Sequence, residues 1–212
     1  MRDQMIYNPG IYQLREDALK RMLDIIYNQK KAQSGQTVFF GDSIIEFYDM
    51  NQYFPEKTIY NCGIAGATTD ELLWIVDEAV IKYKPAQVLL HVGTNDLGNT
   101  VTHSPRQIAS NIQMLVSIIQ KNLPDCRITI LSPLPCDEDI QGYPHARGIR
   151  SNAFLKDIYE HFIEYLGDSV NYINAFDSFV NKKELLLEDG LHPNEKGYQL
   201  LTHIINDYMI LW

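Results

Sequence analysis

Short runs of β-branched and aromatic residues alternate with amphipathic segments along the chain, which predicts a parallel sheet covered by helices on both faces. Five runs read as strands: Thr37-Val38-Phe39-Phe40, residues 58–61, residues 87–92, residues 127–131 and residues 170–173. Ahead of the first, Leu14, Ala18, Met22, Leu23 and Ile26 recur at helical spacing, and Ser34-Gly35 closes that helix. Three further helices carry their apolar faces at Leu72, Val76, Ala79, Val80 and Tyr83, then Ile108, Ile112, Leu115 and Ile119, then Phe154, Ile158, Phe162 and Leu166. A last helix holds Leu200, Leu201, Ile204, Ile205, Tyr208 and Met209. Thr68 with Glu71 forms a capping box, and Ser104-Pro105-Arg106-Gln107 adds a proline at the first helical position. Residues 132–147, with Pro133, Pro135, Gly142 and Pro144, read as a long irregular loop at the working edge of the sheet.

In an open α/β sheet, ligands bind at the carboxyl ends of the strands, and that is where two of three polar segments fall. The first strand runs into Gly41-Asp42-Ser43, the third into Gly93-Thr94-Asn95-Asp96, and Asp189-Gly190-Leu191-His192-Pro193 precedes the last helix. A serine hydroxyl is a weak nucleophile at neutral pH, so it needs a base, an acid to orient the base, and donors for the oxyanion that develops. Ser43 is the candidate nucleophile, His192 the base and Asp189 the orienting acid. Asn95 is the side-chain donor to the oxyanion, joined by the backbone N–H groups of Gly66 and Ser43. Each segment alone has a plainer account. Gly-Asp-Ser is a common loop tripeptide, Asp189-Gly190 a turn, Asn194 a helix cap, and Gly66 a residue kept for positive φ. Their joint occurrence favours the chemical reading, although the usual Gly-x-Ser-x-Gly elbow is absent.

The 212 residues suit one domain, here residues 1–212 with an N-terminal helical extension over about 1–35. At 45% hydrophobic and 21% charged, the composition is that of an ordinary globular protein. A formal charge of −9 without a basic cluster argues against nucleic acid as a partner. Cys62, Cys126 and Cys136 are too few and too irregular for a disulfide framework or a zinc site and read as buried, reduced thiols. With no signal-like start and no apolar run of membrane-spanning length, the expectation is a cytoplasmic protein without a membrane span.

The four diagnostic residues, in Phe39-Phe40-Gly41-Asp42-Ser43-Ile44, Gly63-Ile64-Ala65-Gly66-Ala67-Thr68-Thr69, Gly93-Thr94-Asn95-Asp96 and Asp189-x-x-His192, resemble the SGNH hydrolase superfamily, the GDSL-like lipases and acylhydrolases. The resemblance covers about residues 36–210 and is nearest to the platelet-activating-factor acetylhydrolase-like branch. It implies a three-layer α/β/α, flavodoxin-like fold with strand order 2-1-3-4-5 and no metal or organic cofactor. It also implies a Ser43-His192-Asp189 triad, and an oxyanion hole from Ser43, Gly66 and Asn95, with Gly66 fitting the register better than Gly63. Similar proteins include homodimers, so a homodimer is compatible with it, but no exposed stripe in the sequence demands one.

The resulting expectation is a serine esterase acting on a small-molecule ester, with short acyl groups favoured by the polar, acidic run Cys136-Asp137-Glu138-Asp139-Ile140-Gln141. A carbohydrate O-deacetylase, a longer-chain lipase or lysophospholipase, and an inactive flavodoxin-like ligand-binding module remain as alternatives. Tyr143, His145 and Arg147 are candidate pocket residues from the long loop. His91 reads as a satisfied, partly buried residue, His103, His161 and His203, with no partner pattern in the sequence, as surface or helix residues, Trp74 as packing, and Asp42 as a hydrogen-bond acceptor for its own turn.

Overall fold

The computed structural model describes residues 15–98, 101–143 and 148–209. In chain order the elements are α1 (Glu16–Gln29), β1 (Thr37–Gly41), α2 (Ser43–Glu46), α3 (Met50–Tyr53), β2 (Ile59–Gly63), α4 (Thr69–Ala79) and β3 (Gln87–His91). They continue with α5 (Pro105–Asn122), β4 (Arg127–Leu131), α6 (Glu138–Gln141), α7 (Asn152–Leu166), β5 (Asn171–Ile173), α8 (Phe176–Phe179) and α9 (Glu195–Met209). The strands form one parallel sheet in the expected order β2-β1-β3-β4-β5.

Strand side chains alternate between two apolar layers, as the two-residue period of a strand requires. Val38, Phe40, Val88, Leu90, Ile128 and Ile130 meet α1, α4, α5 and α7 on one face. Phe39, Leu89 and Leu131 meet α2, α8 and α9 on the other, where Ile45, Leu201 and Ile205 are wholly buried. Helices on both faces bury the strands on both sides, which explains why β1 and β3 read as continuous apolar runs. No helix among the described residues is long and apolar enough to cross a membrane.

The departures from expectation are local. In α1 the buried residues are Ala18, Met22 and Ile25 rather than Leu23, which faces solvent, because an i, i+4, i+7 stripe is the one that meets the sheet. Leu14 lies outside the described residues. The helix that carries Leu72 stops at Ala79. Residues Ile81–Tyr83 then form a 3₁₀ turn, and the Tyr83 hydroxyl donates to the Ile25 carbonyl at 2.8 Å. Trp74 is 75% exposed and lies outside the core. Part of the long loop is ordered as α6, capped by Asp137, whose carboxylate accepts from the Asp139 N–H at 3.1 Å.

Both expected capping signals are used. The Glu71 carboxylate accepts from the Thr68 N–H at 3.0 Å. Ser104 N–H donates to Gln107 Oε1 at 2.9 Å while the Gln107 N–H donates back to Ser104 Oγ at 3.3 Å. Ser104→Ala removes half of that reciprocal pair. The variant is expected to lose about 1 kcal/mol of unfolding free energy in urea titration, with the m-value unchanged.

Candidate active site

β1 delivers Ser43 from a point where its backbone lies close against that of β3. A Cβ on Gly41 would stand 2.0 Å from the His91 carbonyl oxygen, so only glycine lets the end of β1 lie this close to the end of β3. The chain then turns into α2. Asp42 caps it, accepting from the Ile44 N–H at 3.0 Å, and its own N–H donates to His91 O at 3.2 Å. The cap is thus Asp42, and the Ser43 side chain is left for other use.

His192 reaches Ser43 from the segment before α9. Its Nε2 lies 2.8 Å from Ser43 Oγ, and its Nδ1 lies 2.5 Å from Asp189 Oδ2. The other carboxylate oxygen, Oδ1, accepts from the N–H groups of Leu191 at 2.9 Å and His192 at 3.0 Å. An ionised carboxylate can only accept, so Nδ1 carries the proton of the neutral ring and Nε2 accepts from the serine hydroxyl. Such a line can take the hydroxyl proton as the oxygen becomes a nucleophile. The segment carrying His192 is firmly mounted: Leu187 N–H donates to His192 O at 2.8 Å, and Asn194 caps α9 through the Gly197 N–H at 3.1 Å. From above, Asp137 N–H donates to Gly190 O and Gln141 Nε2 to Asp189 O, each at 2.7 Å.

The segment after β2 and the loop after β3 meet beside this line. Gly66 has φ +73°, and Asn95 Nδ2 donates to the carbonyl of the next residue, Ala67, at 3.1 Å. Asp96, given no role from sequence, is the strut between the two segments. Its buried carboxylate accepts from the Thr69 N–H at 3.0 and 3.1 Å and from the Thr69 hydroxyl at 2.5 Å. His103 Nδ1 completes its shell at 3.2 Å. The sequence signal was present: Asp96 directly follows Asn95, and Thr69 opens α4.

The sequence profile of the GDSL-like lipase/acylhydrolase family matches residues 39–200, a span that contains all of these groups. The chain belongs to this family. Curated relatives include platelet-activating factor acetylhydrolase IB subunit alpha1 of Bos taurus, 27% identical over 110 residues, or 50% of this chain and 46% of the relative. The human alpha2 subunit is 30% identical over 115 residues, 51% of this chain and 48% of the relative. The chain thus aligns with about half the length of the curated relatives it matches. Among solved structures, a Streptococcus pneumonia protein with a provisional platelet-activating-factor name superposes with TM-score 0.82 at 27% identity, covering 92% of this chain and 93% of that one. A GDSL-like lipase from Bacteroides thetaiotaomicron shares the fold at TM-score 0.76 and 21% identity, covering 89% and 96%.

One hollow of this GDSL-like family member opens on His192, and another holds Tyr143. The first, about 460 Å³, has His192 in its wall together with Phe47, Tyr53, Leu187, Asp49, Gln52 and Glu195. The Phe47 ring, 52% exposed, stands 5.2 Å from the His192 ring. Phe47 escaped the sequence reading because it follows α2 with no motif of its own. The other hollow, about 540 Å³, is lined by Tyr143, Ile149, Arg150 and Phe154, with none of Ser43, Asp189 and His192 in its wall. Tyr143 is 78% exposed there, and His145 and Arg147 lie outside the described residues.

Burial sets the electrostatics. It also works against ionised Asp189, but the bonds from the His192 ring and from the His192 and Leu191 N–H groups prevail and hold this carboxyl below its usual range. Burial pushes Asp42 up to about 7 against its bond from Ile44 N–H and the nearby His192. His91 is fully buried rather than partly so, with the backbone of Ser132 and Leu131 as polar neighbours of its ring. Burial pushes it down to about 4, and its nearest carboxylate is Asp42 at 4.0 Å. Three histidines without a partner pattern in sequence meet carboxylates in the fold: His103 with Asp96 and Asp70, His161 with Glu164 and Asp157, His203 with Asp207.

Asp42 sets a pH dependence whose sign is fixed. Between its ordinary value of 3.8 and its folded value of about 7, the unfolded chain releases this proton and the folded chain keeps it, so this carboxyl lowers stability as pH rises through that window. Asp42→Asn keeps the acceptor for Ile44 N–H and removes the titration. Its urea-unfolding free energy relative to the native protein is expected to improve steadily from pH 4 to pH 8. A difference that is flat in pH would contradict the assignment.

Proposed function

We propose that the protein is a serine esterase that hydrolyses short-acyl carboxylic esters of polar alcohols. Ester hydrolysis is the chemistry for which the family is named, and the observation that carries the assignment to residues is the continuous Asp189–His192–Ser43 hydrogen-bonded line. Ser43 Oγ attacks the ester carbonyl carbon as its proton passes to His192 Nε2. The oxyanion so formed is held by the N–H groups of Ser43 and Gly66 and by Asn95 Nδ2. Collapse breaks the bond to the alcohol oxygen, which takes the proton from His192 and departs, leaving an acyl-enzyme. Water, deprotonated by His192, then attacks that ester; the acid leaves and the proton returns to Ser43. Asp189 stays ionised throughout and holds the ring in one tautomer.

The alcohol half must leave on the side of His192, since it receives its proton there. The hollow on that side joins Phe47 and Tyr53 to Asp49, Gln52 and Glu195, a wall suited to a hydroxylated alcohol more than to a long alkyl chain. The curated relatives are named as acetylhydrolases, which agrees with a small acyl group.

Hydrolysis of p-nitrophenyl acetate, butyrate and octanoate is expected to fall in that order. A maximum at octanoate would transfer the assignment to the longer-chain lipase class. Ser43→Ala is expected to lower kcat by ~10⁴-fold or more. Asn95→Ala is expected to cost about 10²-fold to 10³-fold in kcat with KM within a few fold. Native activity in purified Ser43→Ala protein would refute the mechanism, and a fluorophosphonate probe that fails to label Ser43 in the native protein would favour a ligand-binding module.

A further inference from the structure

Two arginines of α1 and its first flanking residue hold the segment that ends in Gly66. Arg15 Nη2 donates to the Ala65 carbonyl at 2.6 Å. Arg21 donates through Nε to Gly63 O at 2.8 Å and through Nη2 to Asn61 O at 2.7 Å and Asn61 Oδ1 at 3.0 Å. Three alternate carbonyls, of residues 61, 63 and 65, are thus gripped by guanidinium groups that both precede the family match, which starts at residue 39.

The covalent geometry gives these contacts their meaning. The Ala65 carbonyl and the Gly66 N–H are two ends of one planar peptide unit. A guanidinium bonded to the carbonyl end fixes the plane, and so the direction, of the N–H. It also draws charge toward the oxygen, which strengthens the N–H as a donor. The Gly63 carbonyl belongs likewise to the peptide of the Ile64 N–H, which donates to Gly41 O at 2.9 Å, two residues before Ser43. On the opposite side of the segment, Glu46 of α2 accepts from the Ala65 N–H at 2.5 Å. The segment is therefore held between the nucleophile's own helix and α1.

We propose that Arg15 and Arg21 are positioning residues of the oxyanion hole, Arg15 by aligning and polarising the Gly66 N–H and Arg21 by fixing its supporting peptide to the end of β1. The proposal rests on the esterase reading, and it makes the N-terminal helix part of the catalytic apparatus. Preorganised donors stabilise a transition state because they need no reorientation as charge develops, and a displaced donor loses that advantage without weakening substrate binding.

The test must separate alignment from folding, since Arg15 also stands 3.8 Å from Glu71 Oε2, a fully buried carboxylate whose pKa is raised by burial and drawn back by Arg15. Arg15→Met alone leaves that charge without its neighbour; Arg15→Met combined with Glu71→Gln removes the strain and keeps an acceptor for the Thr68 N–H. With p-nitrophenyl acetate, both variants are expected to lose roughly 10-fold to 100-fold in kcat with KM within about twofold. Their affinity for a trifluoromethyl ketone, which binds as a tetrahedral alkoxide, is expected to fall by a similar factor. The double variant alone should recover the native thermal midpoint. Arg15→Lys, which keeps a charge and one donor, is expected between native and Met in kcat. A double variant with native midpoint, native kcat and native ketone affinity overturns the proposal. If the double variant does not fold, undiminished kcat and ketone affinity in Arg15→Lys overturn it instead. A native protein that neither hydrolyses the ester nor reacts at Ser43 with a fluorophosphonate overturns the esterase reading, and the arginine roles with it.

Discussion

A single 2.8 Å contact, between Ser43 Oγ and His192 Nε2, joins groups 149 residues apart in the chain. Nothing local can hold such a contact. It exists because the sheet fixes where β1 ends and because the same face of the sheet buries α9, whose Leu201 and Ile205 lock the segment carrying His192. The fold's apolar economy and the polar line are therefore one construction. The close approach of Gly41 to His91 sets the height of the serine, and the packing of α9 against Phe39 and Leu89 sets the reach of the imidazole.

The framework was legible because its signals are periodic. Five apolar runs separated by amphipathic stripes leave few topologies open, and resemblance to a known motif order reduces those to one. The pieces that escaped are short or aperiodic: α2, α3 and α8 span four residues each, too few for a helical period to show. Ser43 and Asn95 stand out by residue type after strand ends, and Asp189 and His192 by their spacing ahead of α9. Their supports do not. Asp96, Gln141, Glu46 and the arginines at 15 and 21 are ordinary charged and amide residues whose importance lies in which backbone groups they meet, a property of three-dimensional neighbours. The histidines illustrate the same limit, since His103 meets Asp96 and Asp70 only after α5 has packed beside α4.

Buried ionisable groups cluster at the carboxyl edge of the sheet: Asp42, His91, Asp96 and Glu71 are all enclosed. Burial alone disfavours their charged forms, so each shapes the field in which a serine, an imidazole and a carboxylate must work. Asp96 has a full shell of donors, whereas His91 meets only the backbone of Ser132 and Leu131 and the more distant Asp42. The edge thus combines rigid, satisfied struts with groups that are held largely neutral, and the ionised partner of the line, Asp189, is the one left nearest to solvent.

The loop between β4 and α7 carries α6, and from it Asp137 and Gln141 grip the backbone of Gly190 and Asp189 while Lys183 closes on Asp137 at 2.7 Å. Loops at this edge are where relatives on a common scaffold are free to diverge. Here that freedom is curtailed, because the loop also braces the backbone that carries Asp189. Exchanging the loop wholesale for that of another family member would shift the aspartate together with the pocket. A grafted loop would have to supply its own backbone donor to Gly190 and side-chain donor to Asp189.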